Sequence, residues 1–358
     1  MSDRQTVGDI LAQRGVSRRA ILKYAAWLAS AMALPPSASK AIAQSLAAAR
    51  RQSVVWLSFQ ECTGCTESLT RSFSPSLEEM IFNLISLDYH ETLMAVSGHA
   101  AEEARLKAME ENKGKYVVVV DGSVPLKDDG VYSANAGKTN LQTLQETAKD
   151  ALAIISVGTC AAYGGIPGAR PNPTGAVSVG EIIKDKPVIN IPGCPPIAEA
   201  IAGTVAYLVT FGKVPDLDHL GRPKAFFGDT IHDRCYRRPF YDKGLFAKSF
   251  DDEGARNGWC LYEVGCKGPV TYNACATLKW NGGVSFPIQS GHGCIGCSEP
   301  HFWDKGSFYQ PLSTAMPGMG AGIAAGAAAG VALGAGAAWL ARRRQVAYSQ
   351  QTSKKEGA

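Results

Sequence analysis

The 358 residues contain no internal repeat, no heptad run and no collagen-like period, and only 19% of them are charged. Those absences exclude coiled coils, fibres and solenoid arrays. Also missing are a Walker phosphate loop, a dinucleotide-binding glycine fingerprint and a Ser-His-Asp arrangement, the usual signs of nucleotide hydrolysis, hydride transfer and triad chemistry. There is no basic stripe either. Residues 1–43 carry six Lys/Arg against two Asp, and residues 342–358 carry five against one Glu. Each end is therefore +4 in a chain of net +4, which leaves the body, 44–341, at −4 and excludes a nucleic-acid footprint. What is present is 46% hydrophobic residues, with 12 Phe, 12 Tyr and 6 Trp, enough for real cores. The length allows two ordinary domains plus extra segments.

Both ends read as addresses. Ser17-Arg18-Arg19-Ala20-Ile21-Leu22-Lys23 precedes a modestly apolar run from Tyr24 to Leu34, and Ala41-Ile42-Ala43 then offers a small-x-small cleavage site. Residues 1–43 are similar to a twin-arginine signal peptide, although Ile21 stands where Phe is commoner; an amphipathic helix that stays attached is the alternative. The twin-arginine route carries proteins already folded. At the other end, Met316 to Ala341 holds no charge and is closed by Arg342-Arg343-Arg344. At about 1.5 Å per residue the run can cross a ~30 Å hydrocarbon layer. The Arg cluster puts the tail, 342–358, in the cytoplasm and the body outside. Gly318, Gly322, Gly326, Gly330 and Gly334 make a smooth ridge suited to another membrane helix. The expectation is a transmembrane anchor over 316–341; a weakly apolar tail lying on the surface is the alternative.

In the body, Val54–Phe59, Tyr116–Val120, Ala153–Val157 and Pro187–Ile191 read as buried strands, and Leu77–Leu87, Asn140–Ala151 and Ile197–Thr210 as helices. Strands alternating with helices predict an α/β domain over 44–220 with a parallel sheet covered on both faces. From about Val214 the texture changes to Gly, Pro, aromatics and Cys. The second domain, 221–315, is expected to be loop-rich and held by something other than a large core.

The ten cysteines are Cys62, Cys65, Cys160, Cys194, Cys235, Cys260, Cys266, Cys275, Cys294 and Cys297. An even number in an exported chain allows five disulfides. Cys62-Thr-Gly-Cys65 and Cys294-Ile-Gly-Cys297 are instead C-x2-C pairs, which favour a shared metal. Three predicted strands lead into Cys62 and Cys65, Cys160, and Cys194; in a parallel sheet these loops emerge at the carboxyl edge, where such folds bind ligands. Zinc and iron–sulfur both suit four thiolates. The Gly- and Pro-rich loops, which bring backbone N–H groups close to a large anionic core, favour iron–sulfur.

Taken in order, Glu61-Cys-Thr-Gly-Cys-Thr-Glu67, Gly158-Thr-Cys160, Pro192-Gly-Cys-Pro-Pro196, His232-Asp-Arg-Cys235, Gly265-Cys-Lys-Gly268 and Gly291-His-Gly-Cys-Ile-Gly-Cys297 resemble the small subunit of nickel–iron hydrogenases, above all the membrane-bound, periplasm-facing uptake type. The resemblance implies a flavodoxin-like first domain and three clusters. Cys62, Cys65, Cys160 and Cys194 match the ligands of a proximal [4Fe–4S] cluster. His232, Cys235, Cys260 and Cys266 match a distal [4Fe–4S] cluster. Cys275, Cys294 and Cys297 match a medial [3Fe–4S] cluster, with Pro287 standing where a fourth ligand might otherwise come. It further implies a nickel–iron large subunit that splits hydrogen, a membrane cytochrome b as partner, and a chain that only relays electrons, with no catalytic residue of its own. Gly64 and Gly165 stand where some oxygen-tolerant relatives carry extra cysteines. His292 reads as a donor near the ligands or a loop residue, and His90, His99, His219 and His301 as ordinary histidines. The first domain alone also resembles the quinone-side iron–sulfur subunit of respiratory complex I. A structural zinc or disulfide protein is the reading from a different class.

Overall fold

The structure, a computed structural model, describes residues 6–13, 16–31, 34–48, 51–306 and 308–312. The expected anchor, 316–341, and tail, 342–358, lie outside the described residues; among those described, no helix is long and apolar enough to cross a membrane. The four apolar runs form four of five strands in one all-parallel sheet: β1 (Gln52–Ser58), β2 (Ile85–His90), β3 (Val117–Asp121), β4 (Ala153–Val157) and β5 (Val188–Ile191). Their order is β2-β1-β3-β4-β5, a doubly wound order with its switch point between β1 and β3. β3 and β4 are buried at every residue, as continuous Val/Ile runs demand when both faces are covered.

Alternate residues feed two cores. Val54, Trp56, Val117, Val119, Ile155 and Ile189 face a layer that includes the helix Ala198–Phe211. Val55, Leu57, Val118, Val120 and Ile154 face the helices Gly98–Glu111 and Asn140–Ala148. The predicted helix Leu77–Leu87 is corrected. A single α-turn, Leu77–Glu79, passes into a π-turn, Met80–Leu84, and the chain then enters β2. The Arg51 guanidinium ends the helix by donating to the carbonyls of Ile81 (2.6 Å) and Ile85 (2.8 Å).

The N-terminal segment is helical and docked. Helices Val7–Gln13, Arg18–Ala31 and Ala38–Ala48 place Val7, Leu28, Ile42 and Leu46 at 0–1% exposure in the first core. The Ala43 site lies inside the third helix and is buried.

Beyond Gly221 no helix among the described residues exceeds five residues. Phe226, Phe227, Leu261, Phe286 and Ile288 nevertheless join the first core, so the loop-rich half packs onto the sheet half. Arg222, 1% exposed, ties the seam: it pairs with Asp218 at 2.7 Å and with Glu299 at 3.0 Å.

Candidate metal centres

All ten cysteines are free thiols, which removes the disulfide reading. The first four meet at the carboxyl edge of the sheet. Cys62 and Cys65 follow β1 around the turn into the helix Gly64–Thr70, Cys160 lies in the helix Gly158–Tyr163 after β4, and Cys194 follows β5. Glycines allow the crowding. Gly158 (φ +87°) has the Cys65 sulfur against the place where a Cβ would stand, and Gly165 (φ +57°) has the Cys160 sulfur 2.6 Å from that place, so neither position accepts a side chain without movement. Burial first, then the neighbouring thiols, push the Cys194 thiol up to about 12; burial, opposed by the Ile166 backbone and helped by Cys62, pushes Cys160 to about 11. Cys65 is raised well above its ordinary value, by burial first, then by Asp121 and the other three thiols.

His232, Cys235, Cys260 and Cys266 line one cavity. Main-chain N–H groups already point at its sulfurs: Arg237 donates to Cys235 (3.4 Å), and Gly268 and Cys294 donate to Cys266 (3.4 and 3.3 Å). His232 meets Tyr241 edge-on at 4.6 Å. Burial, then the Arg238 charge, hold its pKa below the ordinary value and so favour the neutral imidazole that can ligate.

Cys275, Cys294 and Cys297 line a neighbouring cavity, and Pro287, which offers no ligand atom, lies in the same wall. Burial raises Cys275 to about 12 and Cys294 well above its ordinary value, and Gly296 N–H donates to the Cys294 sulfur at 3.3 Å. Among the described residues no three His, Cys, Asp or Glu side chains converge on a point that one metal ion would occupy. The thiols of these two sites surround a space instead. N–H groups aimed at the sulfurs around such spaces suit a large anionic core better than a single zinc ion.

His292 stays out of both cavities: its Nδ1 lies 2.8 Å from the Gly293 carbonyl and its ring stacks on Phe250 at 5.7 Å, which makes it a loop residue. His99, His219 and His301 are exposed. His90 is buried, stacked on Trp56 at 5.0 Å, with its Nε2 3.3 Å from the Thr66 hydroxyl. Two polar residues beside the thiols carry no signal as single letters. Lys267, 7% exposed, donates from Nζ to the Gln310 carbonyl at 2.6 Å. Thr159, 1% exposed, sits inside a motif in which the cysteine is the conspicuous residue.

Residues 227–310 match the family model for the C-terminal part of the NiFe/NiFeSe hydrogenase small subunit. The uptake hydrogenase small subunit of Azotobacter vinelandii is 51% identical over 314 residues, 88% of each chain. The chain belongs to the nickel–iron hydrogenase small subunits. It is the electron-transfer subunit of a hydrogenase, in a family whose small subunits carry iron–sulfur clusters and pair with a nickel–iron large subunit. The uptake hydrogenase small subunit of Rhizobium leguminosarum bv. viciae is 49% identical over 87% of each chain. Among solved structures, the [NiFeSe] hydrogenase of Desulfomicrobium baculatum superposes with a TM-score of 0.68 at 36% identity, covering 74% of this chain and all of that one. Residues 62–208 also match the family described as NADH ubiquinone oxidoreductase, 20 Kd subunit, the second likeness seen in the sequence. That likeness stops before the half that holds the last two thiol sets.

Proposed function

We propose that this hydrogenase small subunit holds three clusters in a row: a [4Fe–4S] cluster on Cys62, Cys65, Cys160 and Cys194 in the flavodoxin-like half, a [3Fe–4S] cluster on Cys275, Cys294 and Cys297, and a [4Fe–4S] cluster on His232, Cys235, Cys260 and Cys266. One-electron redox chemistry is what such clusters supply when bound. This chain's part is to place the ligands, exclude water and set the charge and hydrogen bonding around the sulfurs. The observation that carries the reading is the neighbouring pair of cavities, one lined by three thiols and a proline, the other by three thiols and an imidazole. The test is iron and sulfide analysis with redox-poised electron paramagnetic resonance on the purified heterodimer. One three-iron signal in the oxidised protein and four-iron signals on reduction are expected; a colourless protein with bound zinc overturns the reading.

The same proposal places the body on the periplasmic side, exported by the twin-arginine route and anchored through residues 316–341 beside a membrane cytochrome b. Support comes from the paired Arg18-Arg19, the uncharged C-terminal run and its glycine ridge. Deleting 316–358 is expected to release a complex that still oxidises hydrogen with dyes while quinone-linked turnover falls. Unchanged membrane association overturns the anchor.

A further inference from the structure

Thr159 joins three ligand loops. Its N–H donates to the Gly193 carbonyl at 2.9 Å, its Oγ1 accepts from the Gly193 N–H at 2.9 Å, and its hydroxyl proton goes to the carbonyl of Cys297. The hydroxyl therefore spends donor and acceptor together at a buried site. Cys160 follows Thr159 directly and Cys194 follows Gly193, so both last ligands of the first set are pinned by one side chain to Cys297, 138 residues further along. Gly193 leaves no room for a side chain. It holds φ +149°, and a Cβ there would lie 2.5 Å from the Cα of Pro196.

We infer that Thr159 is a positioning residue for the electron's passage from the first thiol set to the second: its hydroxyl fixes the Gly193–Cys194 loop against Cys297, and so sets the separation of the two sites. The inference rests on the cluster assignment above. In the step it serves, one electron leaves the first site, which is oxidised, and reaches the second, which is reduced; no bond or proton changes place. Loss of the Thr159 hydroxyl frees the Cys194 loop from Cys297, and the separation on which the magnetic interaction of the two sites depends changes with it.

The test compares Thr159→Val, which keeps the shape and removes the hydroxyl, with Thr159→Ser, which keeps the hydroxyl. Both are made in the complete heterodimer. The readouts are iron and sulfide content and the magnetic interaction between the first two sites. With Thr159→Val the interaction between the first two sites is expected to change, while Thr159→Ser matches the parent. If Thr159→Val loses its iron, full iron content and the parent's interaction in Thr159→Ser still assign the role to the hydroxyl. A fully loaded Thr159→Val with an unaltered interaction overturns the inference, and so does a Thr159→Ser protein that fails as Thr159→Val does. A parent heterodimer without any three-iron signal overturns the cluster assignment itself, which separates that failure from the failure of the role given to Thr159.

Discussion

The backbone N–H of Cys294 donates to the sulfur of Cys266 across 3.3 Å, and the N–H of Lys267 donates to the carbonyl of Cys294 across 2.7 Å. Two cysteines assigned to different cavities are thus bonded to each other's loops in both directions. The second and third sites share a wall of backbone.

The ammonium of Lys267 is buried beside that wall. Burial pulls its pKa down, while the Cys266 and Cys294 sulfurs hold the charge in place. A positive charge there favours the reduced state of both sites. Lys267→Met is therefore expected to move both midpoint potentials in the negative direction, with Lys267→Arg closer to the parent. Stability should fall as well, by about 1–3 kcal/mol, because the Gln310 carbonyl loses its donor. A redox titration in which neither potential moves would refute this role of the charge.

Replacing a ligand should have different effects at the two ends of the row. On the assignment proposed above, Cys194→Ser removes a thiolate from the first acceptor, and hydrogen-dependent dye reduction is expected to vanish. His232→Cys exchanges a neutral ligand for a negative one, so assembly should survive and the outermost potential should fall. Iron analysis and dye-coupled rates distinguish the two. Normal rates in Cys194→Ser would mean that the first site is misassigned.

His90 supplies a pH dependence independent of the metals. Burial lowers its pKa from 6.5 to about 4, so the folded chain keeps it neutral where the unfolded chain takes up a proton. Between pH about 4 and 6.5 the unfolded state binds more protons. Stability therefore rises with pH through that window and is fully present above it, with a span on the order of 3 kcal/mol. On going from pH 7 to pH 5, the Tm of the parent should fall further than that of His90→Gln. Parallel falls would dismiss the linkage.

Oxygen offers a fourth test. Gly64 and Gly165 supply no thiolates beside the first site, so it lacks the added negative charge that would stabilise a more oxidised state. Hydrogen oxidation is expected to stop in air and to return under reduction. Sustained turnover in air would contradict this. A side chain at 165 would also require the Cys160 loop to move, since Gly165 is at φ +57°.

The docked N-terminal helices carry a fifth. With Ile42 at 0% and Ala43 at 8% exposure inside a helix, a peptidase reaches the bond after Ala43 only when that helix lifts. Leu28→Glu places a charge in the core contact and should speed cleavage of the purified precursor by at least about tenfold, from a loss of more than about 1.4 kcal/mol of docking. Equal rates would show that the helices do not shield the site.

Much of this was legible in the sequence. Val and Ile runs gave away four strands because buried parallel strands have no polar face, and cysteines announce themselves by type. β2 was hidden because the apolar spacing through Leu77–Leu87 suits a helix, and the group that ends that helix, Arg51, lies about 30 residues upstream. Thr159 and Lys267 were hidden for the same reason. Their chemistry exists only with Cys297 and Gln310, 138 and 43 residues away, and no local pattern records such a meeting.

Arg222 has a consequence for how alike the molecules of a population are. Its guanidinium is buried between Asp218 and Glu299, and Glu299 also accepts from the Tyr272 N–H at 2.7 Å. Sliding the two halves apart would strand a buried cation and a buried carboxylate, a separation that costs several kcal/mol. Electron hopping falls off steeply with gap length, so even a small spread of gaps would scatter a sample into fast and slow conductors. By locking the seam, Arg222 narrows that spread, and hydrogen-driven reduction of the outermost site should follow a single exponential.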